Sequence, residues 1–185
     1  LYQFIKALFK AEPDLKADKD HLMIISPDEG AMQRAVYFSN VLGVDMGMFY
    51  KRRDYSTIVN GKNPIVAHEF LGDDVHGKTV IIIDDMIDTA GTIQIAANAL
   101  KERGALSVYA ACTHPILSGP AVERIENSAI KELVTTNTIN LPKEKQSPKI
   151  TQLSVGELLA EGILHILNDE PVSDLFVYNR DLYNF

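Results

Sequence analysis

One stretch, Val80–Thr92, constrains the fold of this chain more than any other. It opens with a run of β-branched residues, Val80–Ile83, which predicts a strand buried on both faces, as in a parallel sheet. Two carboxylates follow, then small residues, then apolar positions at helical spacing that run towards Gly104, a typical helix end. The stretch therefore predicts a strand, an acidic turn, a small-residue loop and a helix.

The loop between that strand and helix suits a phosphorylated sugar. Its small size lets the backbone approach a ligand, and N–H groups at a helix start favour an anion. Asp84 and Asp85 cannot bind a phosphate, but they can accept hydrogen bonds from sugar hydroxyls or hold a hydrated Mg²⁺. In an open α/β sheet, ligands bind at the carboxyl ends of the strands. The loop residues are Thr89, Ala90, Gly91 and Thr92.

The rest of the chain predicts one α/β domain over residues 1–185. Strands alternate with helices, which indicates a doubly wound, mainly parallel sheet flanked by helices. The other predicted strands are Leu22–Ile25, Val44–Phe49, Ile65–Leu71, Val108–Thr113, Leu133–Thr135 and Ile150–Leu153. The other predicted helices are an opening helix closed near Pro13, Ala31–Leu42, Ala121–Asn127 and Val155–Leu167.

Composition excludes several classes of function. The formal net charge of −7 argues against a nucleic-acid or anionic-membrane surface. No apolar run approaches the roughly 18 residues of a transmembrane helix. The single cysteine, Cys112, lies in an apolar run that predicts a buried strand position, so a disulfide framework is excluded. A cytoplasmic setting fits these features.

A third acid is expected at the same edge of the sheet. Ser26–Pro27–Asp28 follows a predicted strand, so Asp28 should lie near Asp84 and Asp85. The sequence alone equally favours a simpler role, in which Ser26 or Asp28 caps the following helix.

A basic, polar stretch runs from Lys51 to Asn63. It is interpreted either as a solvated surface loop, as most charge runs are, or as a mobile lid that brings cations to a polyphosphate.

One motif is misleading. Gly72–Thr79 satisfies the P-loop pattern, but a P-loop is followed by a helix, and here a predicted strand follows. Asp73 and Asp74 would also repel phosphate. We therefore interpret it as a turn entering the central strand. The histidines lack metal-ligand spacing, and His114 is at best a neighbour of the site.

The stretch Val80–Thr92 resembles the 5-phosphoribosyl-1-pyrophosphate (PRPP) binding motif of the type I phosphoribosyltransferase fold. The resemblance implies that Asp84 and Asp85 hold the ribose 2- and 3-hydroxyls. It also implies that the small-residue loop binds the 5-phosphate, through Asp88, Thr89, Ala90, Gly91 and Thr92.

The resemblance extends to the ribose-phosphate pyrophosphokinase family, from about Leu22 to Phe176. Ser26–Pro27–Asp28 is similar to that family's S-P-D-x-G-G segment, which implies that Asp28 helps hold catalytic Mg²⁺. Lys51 and Arg53 match a catalytic lysine and arginine on a flexible loop, here residues 51–63. Within the C-terminal tail, residues 169–185, the segment Pro171–Phe176 resembles a regulatory phosphate segment, with Pro171 in place of its first serine.

What the resemblance implies is a transfer of pyrophosphate from ATP to ribose 5-phosphate, with PRPP and AMP as products. By this resemblance, the chain corresponds to the C-terminal half of the family's enzymes. Those enzymes form dimers and hexamers. Adenine recognition is then expected to come from the other half. Two alternatives remain at this stage: a phosphoribosyltransferase that consumes PRPP, and a non-catalytic regulatory paralogue. No nucleic acid or membrane partner is expected.

Overall fold

The computed structural model describes residues 15–53 and 65–176, which form a single sheet flanked by helices. The strands are β1 (Leu22–Ser26), β2 (Asp45–Arg53), β3 (Ile65–Leu71), β4 (Thr79–Ile87), β5 (Ser107–Pro115), β6 (Ile130–Thr136) and β7 (Ile150–Leu153). The α-helices are α1 (Met32–Leu42), α2 (Gly91–Glu102), α3 (Ala121–Glu126) and α4 (Gly156–Leu167). Single 3₁₀ turns cover Glu29–Ala31, Lys143–Lys145 and Val172–Phe176. The expected opening helix lies outside the described residues.

The sheet has the order β3-β2-β1-β4-β5-β6-β7. Every neighbouring pair is parallel except β2 and β3, which are antiparallel. The order runs outward from β1 to β2 and then reverses, so that β4 lies on the other side of β1. The reversal creates a crevice at the carboxyl ends of β1 and β4, where open α/β sheets bind ligands. The predicted doubly wound, mainly parallel fold is confirmed.

The central strand is buried on both faces, as its β-branched run predicts. Val80 and Ile82 pack into a core with the apolar residues of α2, and Ile81 and Ile83 pack into a second core beneath α1. Because successive strand residues point to opposite faces, a continuous apolar run is what a doubly covered strand requires. These two cores fix β4, and therefore the position of the residues at its carboxyl end.

Two strands extend beyond their apolar runs, so the predicted acidic turn is wrong. β4 continues through Asp84 and Asp85 to Ile87, where Met86 still pairs with His114 of β5. The sequence pattern misses this extension because the hydrogen bonds come from the neighbouring strand, which itself runs to Pro115. Both acids therefore have strand geometry, with alternating directions.

The basic residues at the start of the predicted lid are also on a strand. The backbone of Lys51, Arg52 and Arg53 belongs to β2 and pairs with β3, with Lys51 opposite His68. A loop was expected because these residues are polar, but pairing with β3 overrides that local preference. The remainder of the expected loop, residues 54–63, and residues 177–185 of the tail lie outside the described residues.

The P-loop-like turn is occupied by contacts within the protein. Gly77 N–H donates to the Gly104 carbonyl (2.9 Å), and Lys78 N–H donates to the Val75 carbonyl (3.1 Å). The chain then enters β4 at Thr79 rather than a helix. The turn therefore lacks the following helix that a P-loop requires, as the sequence context predicts.

Helix α4 is the least enclosed element. It has no buried residue, and Leu159, Ile163 and Leu167 are 61%, 60% and 73% exposed. Its apolar surface faces outward, apart from a contact of Gly162 with Leu175 of the last 3₁₀ turn. Within the described part of the chain, no helix is long and apolar enough to cross a membrane.

Candidate functional site

An open cavity of about 420 Å³ lies at the carboxyl ends of β1 and β4, at the reversal of strand order. Carboxylates from three positions face it, together with the backbone of the loop that leads into α2. The lining residues are Asp28, Asp84, Met86, Ile87, Asp88, Thr89, Ala90, Gly91, Thr92 and Ile93. Six of the sequence-predicted site residues from β4 onward therefore line one cavity with Asp28, and Asp85 is the exception.

Residues 88–92, here called the phosphate loop, end at the amino terminus of α2. The first intrahelical bond runs from Gln94 N–H to the Ala90 carbonyl (3.0 Å), so the amides before Gln94 have no acceptor within the helix. Ala90, at the cap position, provides no side-chain hydrogen bond. The start of α2, with the positive end of the helix dipole, therefore lies at the cavity, a position that favours anions.

The backbone of the phosphate loop has an unusual conformation at Ala90. Its φ of 58° and ψ of 11° are left-handed, although it has a side chain and is 5% exposed. That conformation costs an L-residue about 1–2 kcal/mol, so contacts elsewhere must hold it. The segment after β5 supplies them.

Three groups in the β5–α3 segment fix the phosphate loop. Ser118 N–H donates to the Asp88 carbonyl (3.0 Å), and its hydroxyl donates to the Asp88 carboxylate. Arg124 Nη1 donates to the Thr89 carbonyl (2.9 Å). The sequence interpretation did not assign Ser118 or Arg124 to the site. Each lies thirty or more residues from its partner in the chain.

The two acids of β4 point in different directions, because they are consecutive strand residues. Asp84 lines the cavity, and its Oδ1 accepts from Asp85 N–H (2.8 Å). Asp85 accepts from Met86 N–H (2.9 Å) through Oδ1 and from Arg34 Nη2 (2.7 Å) through Oδ2. Arg34, on α1, is a third residue that the sequence interpretation missed.

Asp84 and Asp85 have different pKa values because their surroundings differ. Burial raises the pKa of Asp84 from an ordinary 3.8 to about 6, and the charges of Asp28 and Asp85 add to the rise. Burial also acts to raise the pKa of Asp85, but the hydrogen bond with Asp84 and the charge of Arg34 outweigh it and hold that pKa below 3.8. Near neutral pH, Asp84 therefore binds a proton more readily than Asp85 does.

Asp28 has both of the roles that the sequence left open. Its carboxylate accepts from Gly30 N–H (3.0 Å) and caps the 3₁₀ turn Glu29–Ala31, and it also lines the cavity. Among residues 15–53 and 65–176, no group of three or more His, Cys, Asp or Glu side chains forms a metal cage. Mg²⁺ commonly uses only one or two carboxylates, completed by water and substrate phosphates, and Asp28 with Asp84 fits that donor set.

Two further residues lie near the site without entering it. His114 Nδ1 is 2.9 Å from Thr138 Oγ1, a contact between β5 and the residues after β6. Cys112 is fully buried on β5, and burial together with Asp84 raises the pKa of its thiol to about 12. The thiol is therefore neutral, and the predicted buried strand position is confirmed.

Fold and site together define a class: an α/β protein of the doubly wound type, with an anion-binding loop and acids at the switch point of its sheet. Residues 52–177 match the model of a family described as the phosphoribosyl synthetase-associated domain. Because the match covers more than half of the chain, the chain belongs to this family.

Curated relatives agree with the family. The chain is 50% identical over 157 residues to ribose-phosphate pyrophosphokinase 1 of Lactococcus lactis subsp. lactis (strain IL1403), covering 85% of this chain and 46% of the relative. It is 51% identical over 157 residues to ribose-phosphate pyrophosphokinase of Bacillus subtilis (strain 168), covering 85% and 47%. The chain thus spans about half the length of the curated relatives it matches.

Solved structures support the fold. Phosphoribosylpyrophosphate synthetase from Mycobacterium smegmatis superposes with a TM-score of 0.73 at 34% identity, covering 89% of this chain and 50% of that chain. APRTase from Giardia lamblia, solved with 9-deazaadenine, has a TM-score of 0.50 at 12% identity, covering 80% and 75%. The second likeness concerns the fold alone, which is of the type I phosphoribosyltransferase kind.

Proposed function

We propose that this chain is the ribose 5-phosphate-binding half of a ribose-phosphate diphosphokinase, which makes PRPP and AMP from ATP and ribose 5-phosphate. The observation that carries the proposal is the cavity at the switch point, where Asp84 and the phosphate loop lie together. Membership of the family and relatives named ribose-phosphate pyrophosphokinase support it. We further infer a cytoplasmic homo-oligomer, a dimer or a hexamer.

Ribose 5-phosphate carries one group suited to the phosphate loop and others suited to the acids of β4. Its phosphate would accept hydrogen bonds from the amides at the start of α2, with Thr89 and Thr92 adding hydroxyl donors. Its 2- and 3-hydroxyls would donate to Asp84 and Asp85. A carboxylate has about four lone-pair sites, so the contacts of Asp85 with Arg34 and Met86 leave it able to accept from a sugar.

The reaction requires positioning and charge stabilisation more than a reactive side chain. The 1-hydroxyl oxygen of ribose 5-phosphate would attack the β-phosphorus of ATP, and the bond from that phosphorus to the oxygen bridging to the α-phosphate would break. AMP leaves with the electron pair, and the hydroxyl proton passes to solvent. We propose that Lys51 and Arg53 neutralise the charge that develops between the two phosphates.

Mg²⁺ is the implied cofactor, and Asp28 is its proposed protein ligand, with Asp84 beside it. Burial raises the pKa of Asp84, with smaller contributions from the charges of Asp28 and Asp85, and a divalent ion would stabilise the ionised carboxylate in that setting. Asp28 and Asp84 would hold the ion, which when bound would supply positive charge to offset the negative charge of the polyphosphate.

Binding is tested first, by titration calorimetry of this chain with ribose 5-phosphate. We expect binding, and we expect Asp84→Asn to weaken it while Lys78→Ala, in the P-loop-like turn, leaves it unchanged. Absence of binding by the wild-type chain would overturn the proposal.

Catalysis is tested by AMP formation from ATP and ribose 5-phosphate. We expect none from this chain alone, because holding reactants in line can supply about 7–11 kcal/mol and adenine recognition is expected from the other half. Robust AMP production by residues 1–185 would place the nucleotide site within this chain. A phosphoribosyltransferase would instead release pyrophosphate from PRPP and a base, and a regulatory paralogue would bind without turnover.

In an enzyme that contains both halves, Lys51→Ala or Arg53→Ala should lower turnover by a factor on the order of 10³–10⁵, since each substitution removes a cation that stabilises the transition state. Binding of ribose 5-phosphate should stay within a few-fold of the wild type. Parallel losses of binding and turnover would mean that these residues act in substrate binding or structure instead.

A further inference from the structure

An anion in this cavity meets an unfavourable charge environment. Asp28, Asp84 and Asp88 all line the cavity, and its lining residues include no lysine or arginine in the described part of the chain. A helix amino terminus offers only about half a positive charge, whereas a sugar phosphate carries nearly two negative charges. A positively charged side chain close to the phosphate loop would offset the repulsion between the phosphate and these carboxylates.

Arg124 is placed to supply that charge. Its Nη1 donates to the Thr89 carbonyl (2.9 Å), and a Cβ built on Gly91 would lie 3.4 Å from Nη1 and 4.0 Å from Cζ. The guanidinium therefore lies against the backbone of the phosphate loop, between Thr89 and Gly91. A guanidinium has five N–H donors, so the bond to Thr89 leaves donors for a ligand.

The same contact holds the backbone in place. Thr89 precedes Ala90, the residue with the left-handed conformation, and its carbonyl is fixed by Arg124. A neutral donor would satisfy that carbonyl equally well. An arginine adds a positive charge close to where the phosphate oxygens would lie.

We propose that Arg124 is a positioning residue of the phosphate loop, which binds the Thr89 carbonyl and supplies the positive charge that lets an acidic cavity accept a sugar phosphate. The proposal rests on the proposed function, because it deepens the role of the same cavity. It assigns to α3 a part in ligand binding through charge rather than through packing alone.

The test compares Arg124→Lys and Arg124→Gln in this chain, by calorimetry with ribose 5-phosphate. Lysine keeps the charge and glutamine keeps a neutral donor. We expect glutamine to weaken binding about 10- to 100-fold, the usual effect of losing a charged hydrogen-bond partner, and lysine to retain affinity within several-fold. The matched control is Lys78→Gln, which removes one positive charge at the opposite end of β4 and should bind normally.

A second readout separates charge from structure. If the guanidinium attracts the phosphate electrostatically, salt should screen that attraction. Raising the salt concentration should then weaken wild-type binding more than binding by Arg124→Gln. Circular dichroism and urea unfolding confirm that each variant is folded. Wild-type affinity in Arg124→Gln overturns the proposal, and so does equal weakening by lysine and glutamine, which would indicate a structural contact only. Failure of the wild-type chain to bind is a different result, because it rejects the proposed function itself.

Discussion

The acidic end of β4, formed by Asp84 and Asp85, and the phosphate loop lie a few residues apart in the chain, yet they depend on different parts of the structure. At the acidic end, Asp84 and Asp85 act through their side chains, and Arg34 contacts a carboxylate directly. In the phosphate loop the donors are backbone amides, and Arg124 contacts a backbone carbonyl. A substitution at the acidic end should therefore change the charge of one side chain. Ligand binding by the phosphate loop should instead be sensitive to any substitution that moves its backbone.

The largest effect is expected from Gly91→Val, which breaks the phosphate loop. A Cβ at Gly91 would already lie 3.4 Å from Arg124 Nη1, so a branched side chain must displace the guanidinium or the loop. We expect ribose 5-phosphate binding to fall below detection in calorimetry, with the circular dichroism spectrum preserved.

Gly91→Ala is the matched control for that experiment. A single methyl group fits at ordinary van der Waals distance, so binding should remain within a few-fold of the wild type. Normal binding by Gly91→Val would show that the phosphate is bound elsewhere.

Exchanging the acids one at a time tests the other end. Asp84→Asn should weaken ribose 5-phosphate binding about tenfold or more, because Asp84 lines the cavity and its neutral amide is a poorer acceptor. Asp85→Asn should have a smaller effect, because that carboxylate is already bound by Arg34. Calorimetry at one pH and salt concentration compares them, and the reverse order would mean that the sugar approaches from the Arg34 side.

The ionisation of Asp84 should also make the free energy of unfolding depend on pH. The pKa of Asp84 is about 6 when folded and near 3.8 when unfolded, so between these values the folded state binds more protons. Stability therefore falls as pH rises through this window, and the loss is complete above about pH 6. Asp84→Asn should remove the loss and, because solvent screens a partly exposed carboxylate, gain only about 1–2 kcal/mol over the wild type at pH 7.5, but little at pH 4.

Urea unfolding at pH 4, 5, 6 and 7.5 measures this difference. Asp73→Asn, in the exposed turn before β4, is the control and should follow the wild type at every pH. A gain for Asp84→Asn that does not change with pH would contradict the assignment of the raised pKa to Asp84.

The smallest effect is expected from Ala90→Gly. Glycine adopts the left-handed conformation without strain, but it gives the unfolded chain more freedom, so the two contributions nearly cancel. Stability should change by less than about 1 kcal/mol, and ribose 5-phosphate affinity should change less than about threefold. A tenfold loss of affinity would mean that the Ala90 methyl group itself shapes the phosphate loop.

The sequence predicted the fold class and most of the cavity because both depend on local patterns. Apolar runs locate the strands, and small residues between a strand and a helix locate the phosphate loop. What it missed depends on pairing across the fold. Asp84 and Asp85 lie on a strand only because β5 extends beside them, and Lys51–Arg53 do so because β3 pairs with β2.

The two arginines were missed for a related reason. Arg34 and Arg124 lie on helices far in sequence from Asp85 and Thr89, and each helix has other polar residues that look equivalent by spacing. Only the three-dimensional arrangement selects them. The assignment of Lys51 and Arg53 to catalysis, and of residues 51–63 to a lid, remains a prediction.

The reversal of strand order has a kinetic consequence. β1 pairs in parallel with β4, and all of β2 and β3 lies between them in the chain, so that Leu22 pairs with Thr79. Such a pair forms only after a long loop closes, which slows folding relative to a hairpin. Because Asp28 follows β1 and Asp84 lies on β4, partly folded chains lack the cavity. Ribose 5-phosphate should therefore slow unfolding rather than accelerate refolding, which stopped-flow measurements with and without the sugar would detect.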